Sequence, residues 1–269
     1  MKTHLYLLGF IFCFVALLSC TGSKTLKEGS DTQVFELETD WQKAQIKGKV
    51  KSIDEIRYYF NYDEEVIIGK GDMERRELTQ FNRKGFITSY ANYGSENYIV
   101  SETNHFYGEN GLRDSSYVYN GLGELSEISV FLYDNTGIVS KIENYSPDGD
   151  LLYNEIMEYN ADRMPVKTKI FIDSEEDIVL ITETQYNDKK LKQQGLYHDI
   201  LQDIYITAKY EYGANEILIK RSYFDRDGES QGIYEFEYEY NNNKNWIRCN
   251  EFRDGKQSFI VERIIEYFD

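Results

Sequence analysis

Proline is nearly absent from this chain: only Pro147 and Pro165 occur among 269 residues, and both stand beside turn-forming residues. At such places the missing amide donor does not interrupt a β-ladder. No stretch rich in Gly, Ser and Pro divides the chain after about residue 48, so nothing indicates a flexible linker between two folded parts. Residues 48–269 are therefore predicted to form a single β-repeat domain.

Basic side chains are also in short supply. The chain has 30 lysines and arginines against 47 aspartates and glutamates, which gives a formal net charge of −17 and a pI near 4.7. A surface of this sign repels phosphate backbones, so nucleic acid is excluded as a partner. The acidic excess identifies no basic partner, because solvated acidic faces are common on soluble proteins.

Histidine and cysteine occur only three times each, which limits the chemistry available. A catalytic serine or cysteine needs an oriented base, and no Gly-x-Ser-x-Gly motif is present. His105 and His198 both lie in aromatic-rich stretches and are predicted to be packing residues. Cys249, between Trp246 and Phe252, is predicted to be a small buried hydrophobe. No catalytic residue, metal site or cofactor is predicted.

Carboxylates are so numerous that their spacing alone identifies no site. A pair of them could carry out glycoside hydrolysis, and this alternative stays open. Residues 225–229 read Asp-Arg-Asp-Gly-Glu and resemble part of a calcium loop. The full ligand set of such a loop is missing, and the same residues suit a hairpin turn, which is the preferred interpretation.

What the sequence does contain is a tyrosine or phenylalanine that returns about every 26 residues. The successive spacings, obtained by subtracting residue numbers, are 26, 26, 26, 27, 26, 28 and 27. A period in this range indicates a repeat protein built from stacked copies of one supersecondary unit. These repeat anchors are predicted to be structural, and they are Phe81, Tyr107, Tyr133, Tyr159, Tyr186, Tyr212, Tyr240 and Tyr267.

Each repeat is predicted to be two antiparallel strands and two turns. A second aromatic residue follows most anchors by twelve positions, as Tyr145 follows Tyr133, and both kinds of aromatic precede Asn, Asp and Gly clusters typical of tight turns. Residues 234–240 alternate between aromatic and acidic side chains, the period of a strand. The predicted fold is all-β: an antiparallel meander of hairpin repeats that forms a curled or folded-over sheet.

The N-terminus has the pattern of a lipoprotein signal. An apolar run from Leu5 to Leu18 is too short to span a bilayer and ends in Leu17-Leu18-Ser19-Cys20, which resembles the lipobox of bacterial lipoproteins. The resemblance implies that residues 1–19 are removed and that Cys20 is lipidated and anchors the chain in a membrane. Thr21 in place of Asp implies the outer membrane. Residues 20–47 are then the lipidated cysteine and a tether, with a short helical stretch around Trp41.

The repeats also carry a family resemblance. Tyr133-Asp134 with Gly137, and Phe224-Asp225 with Gly228, are similar to the Tyr-Asp units of the Rhs/YD-repeat families. The flanks at residues 48–53 and 245–267 resemble a group of envelope lipoproteins built from such units. The resemblance implies a β-hairpin array in the cell envelope and carries over no catalytic residue. Most repeats here lack a strict Tyr-Asp pair, and the units are too few for the large closed shells of the Rhs toxins.

Two functions follow from these observations. The first is a membrane-anchored, non-enzymatic lipoprotein that binds a protein or a polysaccharide in the cell envelope. The second is a glycan-active hydrolase that uses a carboxylate pair. A place where two carboxylates converge with aromatic rings would distinguish them. The short turns and the regular repeats favour binding, because catalytic sites usually reside on long, irregular loops.

Overall fold

The computed structural model describes residues 38–63, 66–172, 174 and 177–269. The predicted signal peptide, Cys20 and the first part of the tether lie outside these residues. The described chain contains one short helix, α1 (Asp40–Lys43), and sixteen strands. The strands are β1 (Val50–Asp63), β2 (Val66–Phe81), β3 (Ile87–Tyr93), β4 (Ile99–Tyr107), β5 (Arg113–Asn120), β6 (Leu125–Tyr133), β7 (Val139–Tyr145), β8 (Leu151–Tyr159), β9 (Pro165–Phe171), β10 (Ile178–Tyr186), β11 (Lys192–Asp199), β12 (Ile204–Tyr212), β13 (Leu218–Phe224), β14 (Ser230–Tyr240), β15 (Trp246–Arg253) and β16 (Lys256–Tyr267).

The prediction of an all-β antiparallel meander is confirmed, but the prediction of a curled or folded-over sheet is wrong. Each strand pairs with its neighbours in sequence, and β1 also pairs with β16, so the sheet closes into a barrel. The seam runs from Val50 opposite Tyr267 to Tyr59 opposite Phe259. Closure pairs the backbone groups that two open edges would leave exposed, which removes the aggregation hazard of an edge strand.

The turns explain why aromatic residues are followed by Asn or Asp. In the turn after β6, Gly137 N donates to Asp134 O (3.1 Å), and the Asp134 carboxylate accepts from the amides of Thr136 (2.8 Å) and Ile138 (3.0 Å). The fourth turn residue, Gly137, has a φ of 76°, where a side chain costs about 1 kcal/mol or more. The same two side-chain bonds are made by Asn82, Asn120, Asn160, Asn187, Asp225 and Asn241.

Each repeat anchor is the last residue of an even-numbered strand, and all of them except Tyr267, at the end of β16, stand directly before a hairpin turn. Several anchors also tie two strands together, because the hydroxyl donates to a carbonyl at the start of the preceding strand. Tyr107 donates to Ile87 O (2.6 Å), and Tyr133 donates to Arg113 O (2.8 Å). The anchors differ in exposure: Phe81 is buried, whereas Tyr240 is 44% exposed.

The two faces of the barrel wall differ in burial. Cross-strand partners share a face, and tracing them from strand to strand places most buried strand residues on one face, which we identify as the concave inner face. The buried inner residues are Ile53, Thr103, His105, Ser116, Ile142, Asn144, Met157, Ile170, Leu180, Thr182, Asp199, Ala208, Cys249, Glu251 and Val261. The outer face carries exposed charges, such as Glu235 and Glu237 on β14.

The apolar core is divided among neighbouring strands. One cluster contains Val139, Ile142 and Met157 on β7 and β8, and another contains Ile170 on β9 with Val179 and Leu180 on β10. Neither cluster extends across the interior of the barrel. Sixteen strands is the number at which porin barrels enclose an aqueous channel. We call the space enclosed by the sheet the lumen, and the side chains facing it the inner wall.

Residues 38–47, from the segment expected to be a tether, lie against one end of the barrel, at the third apolar cluster. Helix α1 begins at a capping box formed by Thr39 and Gln42. Trp41 packs on Phe81 with a centroid distance of 6.2 Å, and its amide donates to Gly85 O (3.2 Å). A Cβ at Gly85 would come within 2.6 Å of the Trp41 ring, so this contact requires glycine. No helix of the described residues is long and apolar enough to cross a membrane.

Candidate binding site on the inner wall

The inner wall is unusually polar for a protein interior. Its buried residues include His105, Ser116, Asn144, Asp199 and Glu251. Burying such groups is costly unless each finds a hydrogen-bond or charge partner. The polar side chains fall into three groups along the wall, which we name the glutamate sector, the ion-pair sector and the arginine–tyrosine sector.

The glutamate sector lies on β6 to β8. The Tyr153 hydroxyl donates to Glu127 Oε1 (3.1 Å), and Asn144 Nδ2 donates to Glu155 Oε1 (3.4 Å). Burial, reinforced by the charge of Glu127, raises the pKa of Glu155 to about 7. Burial also raises the pKa of Glu127, although the hydrogen bond from Tyr153 opposes that rise. The structure thus brings together two carboxylates that the sequence did not single out.

His105 extends the glutamate sector towards β4. Its Nδ1 lies 2.7 Å from Ser116 Oγ, and the side chain is buried. Burial, with a smaller contribution from the positive charge of Arg113, lowers the pKa of His105 to about 3. The imidazole is therefore neutral at physiological pH and acts as a hydrogen-bonding member of the wall. This is the packing position expected for it from the sequence.

The ion-pair sector lies at the seam, on β1, β2, β15 and β16. Arg57 bridges Glu251 (Nη2 to Oε1, 3.0 Å) and Glu74 (Nε to Oε2, 3.2 Å). Arg263 pairs with Glu55 (Nε to Oε2, 2.8 Å). Each arginine of this sector has a carboxylate partner, so the sector is close to electrically balanced. Charge-assisted pairs of this geometry fix the register of the strands that close the barrel.

The arginine–tyrosine sector lies on β12 to β14. Arg221 stands between Tyr210 and Tyr234, its partners on the adjacent strands. Its Cζ is 5.1 Å from the ring centroid of Tyr223, 5.7 Å from that of Tyr234 and 5.8 Å from that of Phe236. These distances are within the range of a cation–π interaction. The rings of Tyr223 and Tyr234 meet edge to face at 5.6 Å.

The other residues considered from the sequence are far from forming a reactive centre. Burial, with a contribution from the charge of Glu251, raises the pKa of the Cys249 thiol to about 12, so the thiol is protonated and inert. His198 is on the outer face and meets Tyr205 edge to face at 5.6 Å. Asp225 caps its hairpin turn and also accepts from Gln231. Among the described residues, no three His, Cys, Asp or Glu side chains are grouped to hold a metal ion.

Sequence reasoning missed Glu127 and Glu155, although a signal for both was present. Glu127 has the parity of Phe131 on β6, and Glu155 has the parity of Tyr153 and Met157 on β8. A carboxylate an even number of positions from an inward-facing aromatic residue of the same strand lies on the same inner face, where it needs a hydrogen-bond or charge partner. The two clearest surface depressions lie elsewhere, between turns at the end of the barrel that carries α1, and include neither glutamate.

A scan against protein-family models and a search of curated proteins gave no match. Among solved structures, the chain is similar to a porin-like protein from Bacteroides uniformis, with a TM-score of 0.52 at 10% identity, covering 81% of this chain and 96% of that one. At this identity the likeness shows the barrel fold alone.

Weaker likenesses include a Photorhabdus luminescens Tc holotoxin pore (TM-score 0.33, 8% identity, 87% of this chain and 17% of that one). A putative outer membrane lipoprotein-sorting protein domain from Vibrio parahaemolyticus gives a TM-score of 0.28 at 9% identity, covering 81% of this chain and 85% of that one. Neither likeness is strong enough to support an argument about fold or function. The resemblance of the repeats to the Rhs/YD families stays a prediction.

Proposed function

We propose that this protein is a non-enzymatic binding module of the cell envelope and that its ligand, an envelope polysaccharide, binds to the inner wall of the barrel. The observation that carries the proposal is the chemistry of that wall. Hydroxyl, amide and carboxyl groups occur there together with tyrosine rings, in a barrel with the strand number at which porins enclose water. Polysaccharides present hydroxyl groups to such donors and acceptors and apolar sugar faces to the rings, whereas a folded protein partner does not fit inside a barrel.

The outer face supports an aqueous setting. Glu158 and Lys169 form an exposed ion pair of 2.9 Å, and Lys167 pairs with Glu183 at 2.7 Å. Charged side chains facing lipid would destabilise a barrel at the depth of the hydrocarbon. We therefore propose that the barrel stands in water, held near the outer membrane by the lipid on Cys20.

The first prediction concerns the lipid anchor on Cys20, which a Cys20→Ala variant should lose. Labelling cells with a fatty-acid analogue should mark the wild-type protein but not a Cys20→Ala variant, because the thiol at residue 20 receives the lipid. A Cys249→Ala variant serves as the matched control and should keep the label, since Cys249 is buried in the barrel wall. Label retained on Cys20→Ala would refute the lipoprotein assignment.

A bulky side chain on the inner wall tests where the ligand binds. Thr184 on β10 faces the lumen opposite Gly195, whereas its neighbour Gln185 is exposed on the outer face. We expect Thr184→Trp to reduce binding about tenfold or more on an array of acidic and neutral oligosaccharides, because losing one good contact or gaining one clash is worth about 1.4 kcal/mol or more. Gln185→Trp should bind as the wild type does. Equal binding by both variants, or no binding by the wild type, would contradict the proposal.

One observation favours the second candidate, a glycan hydrolase: Glu127 and Glu155 are two inner carboxylates beside Tyr153. Hydrolysis, however, needs their pKa values pushed apart, so that one is an acid and the other a base or nucleophile. Here burial raises the pKa of both glutamates, and the charge of Glu127 raises that of Glu155 further. Both carboxylates already accept a hydrogen bond from the wall, Glu127 from Tyr153 and Glu155 from Asn144, so the pair also suits hydrogen bonding to a polar ligand. Chromatography of the oligosaccharides after incubation should show no products, and products that disappear with Glu155→Gln would instead establish the hydrolase.

A further inference from the structure

Arg221 differs from the arginines of the ion-pair sector. Arg57 and Arg263 each have a carboxylate within 3.2 Å, whereas the structure gives Arg221 no hydrogen bond or ion pair among the described residues. Its Nε is shielded from solvent and has no partner. A guanidinium carries five N–H donors and cannot be deprotonated in a protein. An unpaired arginine on an inner wall is therefore costly unless something else accepts those hydrogen bonds.

The surrounding aromatic rings contact the guanidinium but do not accept hydrogen bonds from its N–H groups. Tyr223, Tyr234 and Phe236 all lie within 5.8 Å of Arg221 Cζ. Burial raises the pKa of the Tyr210 hydroxyl, while the positive charge of Arg221 partly opposes that rise. Burial likewise raises the pKa of the Tyr223 hydroxyl, so Tyr210 and Tyr223 stay protonated and neutral. Cation–π contacts stabilise the charge, but the N–H groups still need an oxygen acceptor.

The adjacent row of the inner wall consists mostly of residues with little or no side chain. Gly195, Ala208, Tyr223 and Gly232 are cross-strand partners on β11 to β14, and three of the four have little or no side chain. An added Cβ at Gly195 would lie 3.3 Å from the Tyr210 hydroxyl, so the ring edge of Tyr210 borders this small-residue row. An added Cβ at Gly232 would lie 3.4 Å from the Tyr234 ring and 3.5 Å from Arg253 Nε, so the small residues of this row make room for the side chains that surround Arg221.

The chain has more acidic than basic residues, yet no carboxylate of the described residues pairs with Arg221. There are 47 acidic residues against 30 basic ones. The inner carboxylate of β15, Glu251, is bound by Arg57 at 3.0 Å. The missing anion is therefore expected from outside the chain, and a planar guanidinium binds a carboxylate through two parallel hydrogen bonds.

We propose that the arginine–tyrosine sector binds the carboxylate of an acidic sugar, so that the ligand is a uronic-acid-containing saccharide. This inference rests on the proposed binding of polysaccharide in the lumen and names the chemical class that is preferred. The guanidinium of Arg221 holds the carboxylate, the rings of Tyr223 and Tyr234 contact the apolar face of the sugar, and the tyrosine hydroxyls bond its hydroxyl groups. Because the guanidinium binds only a sugar that carries a carboxylate, while the tyrosine rings contact any sugar, the site prefers acidic over neutral sugars.

The test compares two probes that differ at C6 of each sugar: a trimer of galacturonic acid, which carries carboxylates there, and the galactose trimer of the same linkage, which carries hydroxymethyl groups. Calorimetry should show that the wild type binds the acidic trimer about tenfold or more tightly, the scale of one charge-assisted contact in a desolvated site. Arg221→Met, which keeps an unbranched apolar stem and removes the guanidinium charge, should lose this preference. Higher salt should weaken binding of the acidic trimer alone.

Matched variants separate this inference from other causes. Lys220→Met removes the adjacent cation on the outer face of the same strand and should leave the preference unchanged. Arg221→Lys keeps the positive charge but cannot form two parallel hydrogen bonds to a carboxylate, so it should retain only part of the preference for the acidic trimer. It serves as the second test if circular dichroism shows that Arg221→Met does not fold.

The outcomes are distinguishable from those of the proposed function. If both trimers bind equally, Thr184→Trp abolishes that binding and Arg221 variants have no effect, the lumen binds saccharides but the acidic preference is wrong. If neither trimer binds, or if Thr184→Trp leaves the binding intact, the proposed function itself fails. A preference that persists in both Arg221 variants would overturn the assignment of this residue.

Discussion

Replacing Glu155 by Gln should stabilise the barrel at alkaline pH by about 3 kcal/mol more than at acidic pH. Burial raises the folded-state pKa of this carboxyl from 4.5 to about 7. Because the folded pKa is raised, the unfolded chain releases the proton first as the pH rises. Below about pH 4.5 the protonated carboxyl makes its full contribution to stability. This contribution falls as the pH rises from about 4.5 to about 7, and it is lost above that. Glutamine never ionises, so the variant escapes this loss and can still accept the hydrogen bond from Asn144.

The measurement is a set of urea denaturation curves for the variant and the wild type at about pH 4, 6 and 8, read as the difference in unfolding free energy at each pH. The difference is needed because His105 acts in the opposite sense: its pKa is lowered to about 3, so its contribution is lost as the pH falls below 6.5. Glu237→Gln, on the exposed outer face, is the control and should change the unfolding free energy by under about 0.5 kcal/mol. A difference for Glu155→Gln that does not vary with pH would show that the carboxyl is well solvated.

Truncating Leu180 to Ala should destabilise the barrel by about 2–5 kcal/mol, the cost of emptying a packed apolar site. Leu180 is 1% exposed and belongs to the apolar cluster of Ile170 and Val179, with Tyr153 and Tyr197 packed against it. This cluster adjoins the glutamate sector through Tyr153. Loss of the leucine therefore removes apolar contacts from the part of the wall that positions Tyr153 beside Glu127.

Leu132→Ala provides the matched control for Leu180→Ala. Leu132 is 38% exposed on the outer face of β6, so the same truncation there should cost under about 1 kcal/mol. Denaturant midpoints at constant slope measure both effects. Similar costs at the two positions would contradict the assignment of inner and outer faces, on which the location of the binding site depends.

The polar inner wall connects stability to function. An apolar wall would give a drier and more stable interior, whereas this barrel buries glutamates, a neutral histidine and an arginine without a carboxylate partner. Such groups lower stability when the lumen is empty. A ligand that supplies the missing partners would stabilise the folded state in proportion to its concentration and affinity. Thermal unfolding with and without the acidic trimer therefore provides an independent reading of the same binding.

The sequence by itself determined the secondary structure, because local chemistry decides it. Aromatic anchors at the ends of strands, Asn or Asp at the first turn position and residues such as Gly137 that accept a positive φ act within five consecutive residues. The alternation along β14 likewise placed Tyr234 and Phe236 on one face and Glu235 on the other. Strand number, turn position and antiparallel order all follow from such short-range rules.

Only the tertiary structure decided that the sheet closes and which residues meet inside it. The seam pairs Ile53 with Ile265, more than 200 positions away, and nothing in a single repeat distinguishes an edge strand from a closing one. The functional groups depend on the same closure. Glu127 and Glu155 are separated by an intervening strand, and Arg221 meets its rings across three strands. Each repeat encodes its own hairpin, but the environment of an inner side chain depends on curvature and register, which are properties of the whole sheet.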